Sequence, residues 1–154
     1  MHLAPYVILL FFSIKITIED LRFHKIRNIL LLNLLGLLLL QSILVGNLLP
    51  QIFSGLVFFS IFTTFYLVAS VLPTDSGIGF GDVKLLTVLA FGFIDVGFRQ
   101  IEIYFLSLWF ALFLQVFLHY IHKRKFLSPM AMAPSIFLAV WLYLCAPLGL
   151  LLPQ

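Results

Sequence analysis

Six carboxylates are all the side-chain acid this 154-residue chain possesses, and two of them resist explanation as ordinary surface charge. Asp82 closes the run Gly77-Ile78-Gly79-Phe80-Gly81-Asp82 and is followed by Val83 and Lys84; Asp20 follows Ile18 and Glu19 and precedes Leu21 and Arg22. A helix cap accounts for an Asp at the first position, since a carboxylate suits the positive end of a helix. A cap does not require three glycines at alternating positions. Glycine lets another backbone come close and tolerates positive φ, so Gly79 and Gly81 are expected to let an extended peptide lie beside Asp82. Asp20 sits at the opposite kind of helix end, where the dipole disfavours an anion, so neutralising Arg22 or Lys25 is its main structural alternative. Two carboxylates at one partly desolvated depth do not both ionise freely and tend to share a proton. Such a pair holds a general base and a general acid together, which is what hydrolysis of a peptide bond by water needs.

The remaining polar residues have simpler readings. Asp95 and Glu102 flank a turn at Arg99 and read as solvated, and Asp75 lies in a Thr-Asp-Ser-Gly turn sequence. Glu19 stands four residues after Lys15, the spacing of an ion pair on one helix face. His24, His119 and His122 lie in basic stretches and His2 is terminal, so no Ser, His or Cys nucleophile constellation emerges. The single Cys145 excludes an internal disulfide and a multi-cysteine zinc site. No metal and no cofactor are expected. The glycine run lacks the Lys-Ser/Thr of a phosphate-binding loop and has no βαβ context.

The elements that must position the two aspartates follow from composition. Apolar residues make up 63% of the chain and charged residues 10%, against about 45 to 50% and about 25% in an ordinary soluble domain. Eighteen Phe have no aqueous surface to occupy. The expectation is an all-α membrane protein, a single integral membrane domain over residues 1 to 154 with about six transmembrane helices. The apolar segments run from about Leu3 to Ile18, Ile29 to Leu49, Ile52 to Leu72, Val83 to Phe98, Ile101 to Ile121 and Pro134 to Leu152. The net charge of +3 marks loops and topology rather than a nucleic-acid surface. Arg22, Lys25, Arg27, Lys84, Lys123, Arg124 and Lys125 follow the first, third and fifth segments, and only Arg99 falls on the other side. Basic loops stay in the cytoplasm. Both termini are therefore expected outside a cytoplasmic membrane, with Asp20 and Asp82 at its cytoplasmic edge. The first segment lacks a basic start and a small-residue cleavage signal and reads as a span.

Two stretches also resemble a known family. Gly79-Phe80-Gly81-Asp82, with Gly77 before it and Lys84-Leu85-Leu86 after it, is similar to the GxGD signature of the type IV prepilin peptidases, which are membrane aspartyl proteases. Ile18-Glu19-Asp20-Leu21-Arg22 with Ile26 and Asn28 resembles that family's first aspartate motif, Asp followed by a basic segment and Ile-Pro-Asn, including the Asp-to-Asn spacing of eight. Pro134, after Ser128 to Ala133, resembles the proline-containing start of a late span. Arg27 stands where the family usually has Pro. The resemblance implies that Asp20 and Asp82 are the catalytic pair, and that substrates are prepilin-like proteins with a basic leader ending in Gly or Ala. It also implies the short, peptidase-only form of the family, without methyltransferase activity.

The resulting expectation is a membrane aspartyl endopeptidase that removes leader peptides at the cytoplasmic face. The substrate helix would pack in lipid against small residues such as Gly36, Ala69 and Gly92. The alternative class is a small proton-coupled transporter or channel component that uses Asp20 and Asp82 as ion sites, and an inactive assembly subunit is a third.

Overall fold

The structure is a computed structural model that describes residues 4–71, 79–123 and 131–146. Among these residues it contains six helices and no strand: α1 (Ala4–Phe23), α2 (Asn28–Val45), α3 (Leu48–Val71), α4 (Phe80–Phe93), α5 (Phe98–Lys123) and α6 (Ala133–Cys145). Three of them, α2, α3 and α5 up to Ile121, are long and apolar enough to cross a membrane on their own. The other three differ for separate reasons. α1 has the length, but Lys15, Glu19, Asp20 and Arg22 crowd its second half. α4 and α6 have 14 and 13 residues, about 20 Å of helix where the hydrocarbon core is about 30 Å thick.

Short turns set the order of the bundle. α2 stops at Gly46, which adopts φ +78° so that the amide of Asn47 returns to the carbonyl of Ser42. α3 then begins at once, with Pro50 in its first turn, where a missing N–H costs nothing. The expected start at Ile52 is therefore four residues late. α1 runs five residues past its expected end and closes at His24, whose φ of +48° is uncommon for a residue with a Cβ and whose N–H reaches the carbonyl of Asp20.

α4 is the central helix. Val83, Leu85, Leu86, Val88, Leu89, Ala90 and Phe91 are buried around its whole circumference, as a helix apolar on every side requires. Its neighbours approach through small residues. Ser54 of α3 donates to the carbonyls of Ala90 and Ile94, and a Cβ on Gly55 would come within 3.3 Å of the Phe91 Cβ. A Cβ on Gly92 would meet the Leu38 side chain of α2 at 2.6 to 3.2 Å. Gly92 thus serves internal packing and is not a free seat for a substrate helix. An aromatic cluster of Phe58, Phe62, Tyr104 and Phe105 joins α3 to α5, and Tyr143 of α6 meets Tyr104 edge to face. The outward faces remain apolar, with Trp109, Phe110, Phe113 and Phe117 exposed along α5.

Candidate active site

The end of α1 and the starts of α2, α4 and α6 converge at one end of the bundle. Asp20 lies in the last turn of α1 and is 4% exposed. Its Oδ2 accepts the N–H of Ala133 at 2.9 Å. That amide belongs to the first residue of α6, one of the donors a helix start leaves without an internal partner. The unfavourable position of Asp20 at the C-terminus of α1 is thereby offset by the N-terminus of α6, which attracts negative charge.

Asp82 differs from expectation in one detail. It does not cap α4. Gly79 holds the cap position with φ −68° and ψ 139°, and Asp82 lies in the first turn, ahead of the expected fourth span. Its carboxylate folds back to accept the Gly79 N–H, while its own amide donates to the Gly79 carbonyl at 2.9 Å. This is the carboxylate half of a capping box. Burial and the neighbouring charge of Asp20 raise the Asp82 carboxyl to about 6, against the smaller opposing effect of the Gly79 N–H. The two carboxylates, 62 positions apart in the chain, thus feel each other directly.

The segments around the pair also touch. Lys84 donates to the Asn28 side chain at 3.1 Å and lies over the Phe80 ring. The Gly81 Cα faces Ile26, whose Cβ would stand 3.7 Å from an added methyl. Gly79 is exposed and Gly81 half-buried, and neither adopts positive φ. Both backbone groups of Gly79 are engaged within the first turn of α4, so they are not free to pair with an extended peptide. The room at this position is limited: a Cβ on Gly79 would stand 3.0 Å from Asp82 Oδ2, which would have to give way.

Arg27 forms an ion pair with Glu19 at 2.5 Å, which corrects the expected pairing of Glu19 with Lys15. Its φ of −71° and ψ of 129° at the cap of α2 are angles that a proline also adopts. Gln115 is a contact that sequence reasoning missed. Its side-chain amide donates to the carbonyl of Ala131, two residues before the amide that holds Asp20. An amide in the apolar middle of α5, away from Gln100 at its start, was the available signal. Asp75, Gly77, Arg124, Lys125 and Pro129 lie outside the described residues.

The carboxylate pair is recessed. Phe80 packs against Tyr66, and α3 continues five residues further to Val71; α5 runs eight residues beyond Gln115. At 1.5 Å per residue the ends of α3 and α5 stand about 8 to 12 Å beyond the starts of α4 and α6. Among the described residues no group of three or more His, Cys, Asp or Glu side chains could hold a metal ion. The chain matches no protein-family model, no curated protein and no solved structure.

Proposed function

We propose that the chain is a multi-pass membrane aspartyl endopeptidase of the prepilin-peptidase type, with Asp20 and Asp82 as its catalytic pair. The observation that carries this reading is the meeting of the two aspartates in a recess at one end of the bundle. Three stretches that resemble one peptidase family, around Asp20, around Asp82 and before Pro134, all contribute to that meeting.

In this mechanism a water between the carboxylates gives a proton to the ionised one as it attacks the scissile carbonyl carbon. The protonated carboxyl stabilises the developing oxyanion and supplies the proton that the leaving amine needs. Burial and the neighbouring charge of Asp20 disfavour the ionised form of Asp82, the Ala133 amide positions Asp20, and the two exchange acid and base roles over the catalytic cycle. The substrate is a prepilin-like protein whose leader junction enters the recess past Gly79 and Gly81 while its apolar helix stays in lipid. The positive-inside tendency of the basic loops supports an orientation with the recess at the cytoplasmic face and both termini outside. All six helices span or enter the bilayer in this arrangement, with the short α4 and α6 reaching only to the level of the recess.

The test is co-expression with a prepilin encoded in the same genome, following leader removal by gel shift and mass. Loss of the leader at the Gly-ended junction supports the proposal. An intact leader beside well-inserted protein, with each prepilin of that genome in turn, overturns it.

A further inference from the structure

An apolar groove opens on the outside of the bundle between α1 and α2. Val7, Phe11, Leu32 and Leu37 line it, and all four are exposed. Gly36 forms part of its floor, with nothing within 4 Å of where a Cβ would stand. The groove does not remain apolar along its length. Toward the α1–α2 turn it passes Lys15 and Asn33, which line both parts, and continues between Glu19, Arg22 and Arg27. Three cations face one carboxylate there, and that carboxylate is already engaged by Arg27. Lys15 is turned to the apolar side, its ammonium 5.8 Å from the centre of the Phe11 ring. A ring face is a weak partner, worth about 0.5 to 1 kcal/mol at an exposed site, and a cation facing hydrocarbon is costly.

A groove that is apolar over most of its length and carries surplus positive charge at one end is the counterpart of a molecule with an acyl chain and an anionic head. We infer that the α1–α2 groove is a binding site for one anionic phospholipid, with a chain lying over Gly36 and the phosphate between Lys15 and Arg22. The charge distribution separates this occupant from a second apolar helix, which would leave Lys15 facing hydrocarbon, and from a basic peptide, which it would repel. The groove is also distinct from the recess, because Asp20 turns from α1 toward the start of α6. A lipid seated here would join α1, which carries Asp20, to α2.

The inference is tested on the full purified chain by native mass spectrometry in a detergent mixture holding equal amounts of phosphatidylglycerol and phosphatidylcholine. The wild type should retain phosphatidylglycerol over phosphatidylcholine by about tenfold. Lys15→Gln with Arg22→Gln should bring that ratio close to one. Gly36→Leu, where the open space admits the side chain, should lower retention of both lipids while every charge is kept. Lys84→Gln, a cation at the same end of the bundle but outside the groove, should leave the ratio unchanged. Equal retention of the two lipids by the wild type, a preference that survives in Lys15→Gln with Arg22→Gln, or unchanged retention by Gly36→Leu would overturn the inference. So would displacement of the lipid by millimolar inorganic phosphate, since the charges would then act without the groove.

Discussion

At the scale of single residues, the pair and its glycine make separable predictions. Asp20→Asn and Asp82→Asn preserve size and remove proton chemistry, so each should lower leader removal by at least about a hundredfold at unchanged membrane insertion. Glu19→Gln breaks a pair in which Arg27 is largely exposed, a change worth about 0 to 1 kcal/mol, and should retain most activity. Near-normal processing by an inserted Asp20→Asn protein would refute the assignment. Gly79→Ala places a methyl 3.0 Å from Asp82 Oδ2, whereas Gly81→Ala meets only Ile26 at ordinary contact distance within a helix. The first should reduce cleavage sharply, and the second should leave the fold intact. A loss with Gly81→Ala at normal thermal stability would then report directly on substrate approach. Titration supplies a further check. Burial and Asp20 both disfavour the charged form of Asp82, so its contribution to stability is present at low pH and is lost as pH rises through about 6. Infrared spectra of the carboxyl stretch should show a group titrating near that value, and Asp20→Asn should move it downward by removing the neighbouring charge. An unmoved titration would separate the two carboxylates. Both aspartates were legible in the sequence because acids are rare in so apolar a chain. The Ala133 amide was not, because a backbone donor carries no residue-type signal.

At the scale of the helices, the bundle depends on close approaches that hydropathy does not reveal. Gly92 reads from the sequence as a small residue in an apolar run, open to a substrate helix. The structure places it against Leu38, a side chain 2% exposed and held on all sides. Gly92→Ala should therefore destabilise the protein, by about 1 to 3 kcal/mol if Leu38 has to leave its rotamer. Combining it with Leu38→Ala should cost less than the sum of the two single changes, because the methyl then has room. Additive losses in thermal unfolding of the detergent-solubilised protein would contradict this packing. The same scale explains the errors in helix boundaries. Apolar runs locate spans, but the ends of α1 and α2 are set by the backbone at His24 and Gly46, and the start of α3 includes a proline that a helix accepts in its first turn. Glu19 was assigned to Lys15 by helical spacing. It pairs with Arg27 because the turn after Phe23 brings the start of α2 back beside α1, a contact that spacing along one helix cannot register.

At the scale of the whole molecule, the recess and the charge distribution lead to one orientation. The starts of α2, α4 and α6 meet the end of α1, so Asp20 and Asp82 lie at the end bearing Arg22, Lys25, Arg27 and Lys84. The opposite end has the Gly46 turn, where Ser42 of α2 bonds to Gln51 of α3, and the connection from α4 to α5. If basic segments remain in the cytoplasm, leader peptides reach the carboxylates without crossing the bilayer. The exposed native Cys145 has to be replaced by Ala first, so that introduced thiols report alone. In that background, a cysteine at Arg22 should react with a membrane-impermeant thiol reagent only after the cytoplasmic side is opened. A cysteine at Asn47, beside the opposite turn, should react in intact cells. Labelling at Arg22 from outside would put the recess on the far side of the membrane from newly made substrates. A peptidase acting on cytoplasmic leaders would then be physically excluded, whatever the chemistry of the pair.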